Sequence, residues 1–127
     1  METIKQQQTG ELVKRNFSQI LQQEGSYIYG NTILVTVTQV KMTPDLGLAK
    51  IYLSIFNTEF KQEPLLLLGE EKIRLRQALG ARIKKWVRRI PEIDFYLDDT
   101  LDEMYRLSEL FYKMEEDNQM GKPEEER

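Results

Sequence analysis

Residues 33–57 restrict the fold more than any other stretch, because they hold two strand-like runs joined by a short polar turn. In the second run Ala49, Ile51, Leu53 and Ile55 alternate with Lys50, Tyr52, Ser54 and Phe56, the two-residue period of a strand with one buried face. In the first run Ile33, Val35 and Val37 share one parity while Val40 and Met42 take the other. A bulge near Thr38 or Gln39 repairs that slip. Thr43, Pro44, Asp45 and Gly47 carry turn chemistry: Pro presets its φ, Asp bonds to nearby amides, and Gly permits φ above zero. A β-hairpin is expected.

The flanking segments read as helices and one more strand. Residues 1–10 are polar and expected to fray, and Val13, Phe17, Ile20 and Leu21 recur at helical spacing over residues 10–24. Gly25 is expected to end that helix, with residues 26–30 as a loop. After a polar connection, Pro64 suits the first turn of a second helix. Over residues 73–90 an ideal helix gathers Leu75, Leu79, Ile83, Trp86 and Ile90 into one apolar arc. Arg74, Lys84, Lys85 and Arg88 then point away, with Arg76, Arg82 and Arg89 on the flanks. The same phase run backwards buries Lys72, a conflict that a break around residues 69–72 resolves, with Leu65 and Leu68 packing from a short preceding helix. Gly80 costs roughly 1 kcal/mol of helix stability relative to Ala and marks a bend or a close backbone approach. Pro91 ends the helix, and Ile93, Phe95 and Leu97 alternate with Asp94, Tyr96 and Asp98 as a third strand. Thr100 and Glu103 form a capping box for a last helix to about residue 116, and the acidic residues 117–127 are expected to be a disordered tail. The expected architecture is α+β: one domain over residues 1–116, a three-stranded sheet with helices on one face.

Charge is sharply segregated along the chain. The net charge of −3 over 127 residues conceals eight basic and no acidic side chains in residues 72–91, against four basic and thirteen acidic in residues 92–127. Partner choice follows the local field of such a patch more than the average. Surface helices ordinarily intersperse signs to gain a few tenths of a kcal/mol per pair, so the run exceeds what a solvated face needs. Lys72, Arg74, Arg76, Arg82, Lys84, Lys85, Arg88 and Arg89 are therefore the candidate phosphate-binding residues, and RNA-binding residues if the polyanion is RNA.

Other chemistries find little support. The chain contains no Cys and no His, which removes thiolate nucleophiles, disulfides and the commonest general base and metal ligand. No catalytic residue, cofactor or metal is expected. The longest uninterrupted aliphatic run, residues 65–68, is far short of the roughly 20 residues that span a bilayer, and the polar N-terminal segment lacks a signal-peptide pattern. Asp94, Asp98, Asp99, Asp102 and Glu103 can be drawn as a metal site, but a helix N-terminus accounts better for the last three. Outward Tyr52, Phe56 and Tyr96 more often complete a sheet face than stack on bases. Lys41 and Lys50 serve equally as phosphate contacts or as solubilising edge charges.

Two segments resemble a known family. The run Val35-Thr36-Val37-Thr38-Gln39-Val40-Lys41-Met42-Thr43-Pro44-Asp45-Leu46-Gly47-Leu48-Ala49-Lys50-Ile51-Tyr52 is similar to the strand, Asp-Leu turn and Ala-Lys-Val-Tyr strand of bacterial ribosome-binding factor A. Pro91-Glu92-Ile93-Asp94-Phe95 with Asp98-Asp99-Thr100 resembles that family's Pro-Glu-Leu-x-Phe strand and Asp-Ser helix start. The resemblance implies a type II KH-like fold ordered α-β-β-α-kink-α-β plus a C-terminal helix. It implies a cytoplasmic, non-catalytic factor that binds the small (30S) ribosomal subunit through its 16S rRNA, and assists late maturation and rRNA processing, notably in the cold. A monomer is expected, with no membrane and no small-molecule substrate. The family's Ala-x-Gly kink matches Ala78-Leu79-Gly80 in one register and falls at residues 71–73 in another, which the helical phase favours. From another class, a protein interaction module could dock an acidic partner on the basic helix, and a carboxylate-metal nuclease would cleave RNA with divalent ions.

Overall fold

The computed structural model describes residues 2–98, so the expected helix from Thr100 and the acidic tail lie outside the described residues. Six elements follow in order: α1 (Ile4–Tyr29), β1 (Leu34–Met42), β2 (Leu48–Phe56), α2 (Gln62–Glu70), α3 (Lys72–Ile83) and β3 (Glu92–Leu97). The sheet order is β1-β2-β3, with β1 antiparallel and β3 parallel to the central β2. A parallel partner requires a crossover, which α2 and α3 supply. This is the α-β-β-α-α-β order of a type II KH-like domain.

The hairpin forms as its alternation requires. Ala49, Ile51, Leu53 and Ile55 are buried, and the β1–β2 register shifts between Val37 and Gln39, so Thr38 is the extra residue. Val35 and Val37 before the bulge and Met42 after it then face the same core. The Thr38 hydroxyl donates to Asp98 Oδ2 at 2.6 Å, tying the bulge to the far end of β3. In the turn it is Leu46 that takes positive φ (60°), whereas Gly47 does not. A Cβ at Gly47 would meet the Arg89 guanidinium, the far end of a flexible exposed side chain that can move aside. The Gly47 carbonyl accepts from Glu92 N at 2.8 Å, joining turn to β3.

Helix α1 is longer at both ends than its apolar periodicity indicates. Thr3 accepts from Gln6 N while the Gln6 side chain accepts from Thr3 N, a capping box that starts the helix at Ile4. Gln6 Nε2 also donates to Met42 O at 2.9 Å, so the N-terminal residues are anchored, not frayed. Gly25 is buried within the helix, which continues through residues 26–29 to Tyr29, where a loop was expected. Val13, Phe17, Ile20 and Leu21 are buried as the periodicity predicts.

The crossover breaks at Glu71, the residue between α2 and α3, with φ −95° and ψ 12°. Leu68 packs from α2 and Leu75, Leu79 and Ile83 from α3, all fully buried. Each such side chain contributes about 1.5–3 kcal/mol through removal of apolar surface from water. Ala78-Leu79-Gly80 lies inside α3 and is not the kink. Gly80 instead permits a close approach, since a Cβ there would stand 3.2 Å from Ile90 Cγ1. Helix α3 ends at Ile83, so residues 84–90 form an irregular return to β3. That ending corrects the position of Trp86, which is not in the core but 68% exposed.

Candidate nucleic-acid interface

The eight basic residues of the 72–91 segment do not form one ridge. The kink at Glu71 turns Lys72 away from the core, and its Nζ reaches Asp94 Oδ1 on β3 at 2.8 Å. Arg74 bonds to Glu71 Oε1 at 2.8 Å and to Glu24 of α1. Those bonds, the one to Glu24 first, raise the pKa of its guanidinium above the ordinary value. Arg76 donates Nε to Pro91 O at 2.9 Å and Nη2 to Ile90 O at 2.7 Å, and lies 3.2 Å from Glu92. Its guanidinium therefore supplies donors to two carbonyls that the irregular return leaves outside any ladder. Arg82 donates to Gln19 of α1.

The return segment carries a different set. Lys84, Lys85 and Arg88 are exposed, and among the described residues none of their three side chains has an ion-pair or hydrogen-bond partner. Arg89 makes only a loose pair with Asp45 at 3.8 Å, both side chains well exposed. The Asp45 carboxyl is held below its ordinary pKa by the Thr43 hydroxyl, then by the Gly47 amide, with Arg89 adding to both. Opposite-charge pairing has thus engaged Lys72, Arg74 and Arg76, the neutral amide of Gln19 holds Arg82, and the cations of residues 84–89 are left facing solvent.

A cleft of about 430 Å³ opens beside this segment, lined by Lys5 and Thr9 of α1, Asp45 and Leu46 of the hairpin turn, and Trp86, Val87, Arg88 and Arg89. Sequence reasoning missed Lys5 as a neighbour of the basic run and put Trp86 on the apolar arc instead of at this cleft. The Thr3-x-x-Gln6 capping box was the available signal that α1 starts early enough to bring Lys5 there, whereas no local pattern places α1 beside residue 88.

The outer sheet face settles the remaining aromatic candidates differently. Tyr52 and Tyr96 stack on each other across β2 and β3 with ring centroids 5.3 Å apart, and Lys41 Nζ lies 5.6 Å from the Tyr52 ring centre. Asp94 is engaged by Lys72 and Asp98 by Thr38, while Asp99, Asp102 and Glu103 lie outside the described residues. Among the described residues no cluster of three or more possible metal ligands is present, and no helix is long and apolar enough to cross a membrane.

Residues 5–111 match the family model described as ribosome-binding factor A. A ribosome-binding factor A of Cytophaga hutchinsonii is 39% identical over 114 residues, covering 90% of this chain and 85% of that protein. The one of Chlorobaculum parvum is 36% identical over 109 residues, covering 85% and 88% respectively. The crystal structure of ribosome-binding factor A from Thermus thermophilus has the same fold, with a TM-score of 0.60 at 24% identity over 72% of this chain and 94% of that one. A homology model of the Thermus thermophilus factor, fitted into the cryo-EM map of its complex with 30S, matches with a TM-score of 0.54 at 25% identity, over 70% and 90% of the two chains.

Proposed function

The chain belongs to the ribosome-binding factor A family, and from that premise we propose that it is a bacterial cytoplasmic ribosome assembly factor that binds the small subunit through 16S rRNA during late maturation. A relative of the same family has been fitted into a 30S complex, which supports the small subunit as the partner. The observation that carries the phosphate-binding part is the set Lys84, Lys85 and Arg88 on the return segment, whose side chains are exposed and unpaired among the described residues. Arg89 adds a further cation held loosely enough to exchange Asp45 for a phosphate. Arg76 orients that segment through the Ile90 and Pro91 carbonyls, while Lys72, Arg74 and Arg82, engaged elsewhere in the fold, contribute to RNA contact through long-range charge.

The mechanism is non-covalent. Each exposed cation that neutralises a phosphate releases a counterion, and the bound domain favours one rRNA arrangement by the difference in its affinity for the alternatives. No cofactor is required for that work, and 16S rRNA processing improves because the precursor is held in a processable form. The protein acts as a monomer.

Replacing Lys84, Lys85 and Arg88 together by Glu tests this reading by sedimentation with small subunits at low salt. Wild type co-migrates and the variant stays at the top of the gradient. Unchanged co-migration would remove the return segment from the interface. Nuclease treatment separates RNA binding from docking on an acidic protein, since only an RNA-held factor leaves its complex when the RNA is cut.

A further inference from the structure

Trp86 is the only tryptophan in the chain, and it stands 68% exposed between cations, with Lys84 and Lys85 before it and Arg88 and Arg89 after it. A large aromatic ring left in water needs a reason, because burial of such a ring is among the largest apolar gains a small domain can make. Its backbone is fixed: Trp86 N donates to Ile83 O at 2.9 Å, directly after the last turn of α3. The neighbouring Ile83 is fully buried, and Val87 and Ile90 pack against the core, so the ring projects from an anchored segment.

The cleft that Trp86 lines has the chemistry of a nucleotide subsite. Its volume of about 430 Å³ falls within the roughly 300–1,000 Å³ of ordinary small-ligand sites. Three cations, Lys5, Arg88 and Arg89, line it against one carboxylate, Asp45. That carboxylate accepts from Thr43 Oγ1 at 2.7 Å and Gly47 N at 3.0 Å and faces Arg89, so among the described residues Lys5 and Arg88 hold the uncompensated charge. An exposed ring flanked by positive charge suits an unpaired base with its phosphate, since the ring gives a π-face and the cations give the anion site. Duplex RNA offers phosphates but no free base face.

Resting on the reading of the return segment as an RNA contact, we propose that Trp86 is a stacking platform for one unpaired rRNA base, whose phosphate lies against Lys5 and Arg88. The exposed cations of the return segment hold the domain on the subunit, and the Trp86 cleft requires single-stranded RNA at that point. The specificity it adds is for strandedness, because every base has a π-face.

The sole tryptophan makes the test direct. The full-length protein at low salt is titrated with a short single-stranded oligoadenylate and, separately, with an RNA duplex of the same length, while Trp86 emission is followed. The single strand quenches the emission and the duplex does not. Trp86→Ala weakens single-strand binding, read by anisotropy of labelled RNA, roughly 5- to 100-fold, while Trp86→Phe keeps most of it. Equal quenching by duplex, binding of the single strand without quenching, or a Trp86→Ala variant with wild-type affinity would each overturn the proposal. So would a blue-shifted emission in the free protein, which means that the ring is already covered by protein. If Trp86→Ala binds RNA normally while the Lys84, Lys85 and Arg88 charge reversal abolishes subunit binding, the stacking site fails and the functional reading stands. If the charge reversal has no effect, the functional reading itself fails.

Discussion

Arg76 Nη2 donates to the carbonyl of Ile90 at 2.7 Å, across fourteen residues of chain, and fixes where the return segment rejoins the sheet. With Nε on Pro91 O at 2.9 Å, one guanidinium holds two consecutive carbonyls. Arg76 is therefore a positioning residue, and its loss should be felt first in stability.

Replacing Arg76 by Ala is expected to cost about 1.5–3 kcal/mol, the usual worth of partly buried hydrogen bonds from a charged donor. Arg76→Lys keeps the charge but not the planar fork, and should recover only part of that loss. Urea unfolding curves of the three proteins check this. By contrast Lys72→Ala, which breaks a pair whose side chains are both 40% exposed, should shift stability by less than about 1 kcal/mol.

Two glycines in helices should respond in opposite directions. A Cβ at Gly10 would stand 2.8 Å from the carbonyl oxygen of Val40, a backbone atom that cannot step aside, so Gly10→Ala should destabilise by about 1–3 kcal/mol despite better helix propensity. At Gly69 of α2 a Cβ would meet nothing within 4 Å, so Gly69→Ala should stabilise by about 0.5–1 kcal/mol. Thermal unfolding of both variants separates the packing effect from the propensity effect.

Asp45 gives a pH dependence of known sign. Its carboxyl is held below the ordinary value of 3.8 by Thr43, then Gly47, so the folded state favours the ionised form. Its stabilisation is complete above the unfolded pKa and is lost as pH falls through the lowered folded pKa. Wild type should therefore exceed Asp45→Asn in Tm near neutrality, and the gap should close on acidification into the carboxylate range. A gap that does not change with pH would mean that the turn does not depend on the Asp45 charge.

Much of this fold was legible because it rests on local periodicity. The parity slip between Val37 and Val40 located the bulge, and the phase conflict at Lys72 located the break that the structure places at Glu71. Trp86 was misplaced for the same reason that Leu75, Leu79 and Ile83 were placed correctly: the 100° phase holds only while the helix lasts, and α3 stops at Ile83. No short-range pattern announces that ending, because Lys84 and Lys85 are good helix formers and the close approach of Ile90 to Gly80 is a tertiary fact. The division of the basic run was equally hidden. Glu24, Asp94 and the Ile90 carbonyl come from three other parts of the chain, and only their arrival in space tells a structural arginine from one left for a partner.

The salt dependence of small-subunit binding tests the division of these cations most directly, with wild type compared against a Lys84, Lys85 and Arg88 triple Ala variant. The slope of log K against log salt should be steep for wild type and shallower by about two to three in the variant, in keeping with three lost phosphate contacts at about 0.7 to 0.9 each. An identical slope in the two proteins would contradict the account, whatever the change in affinity, because it would mean that those three side chains neutralise no phosphate.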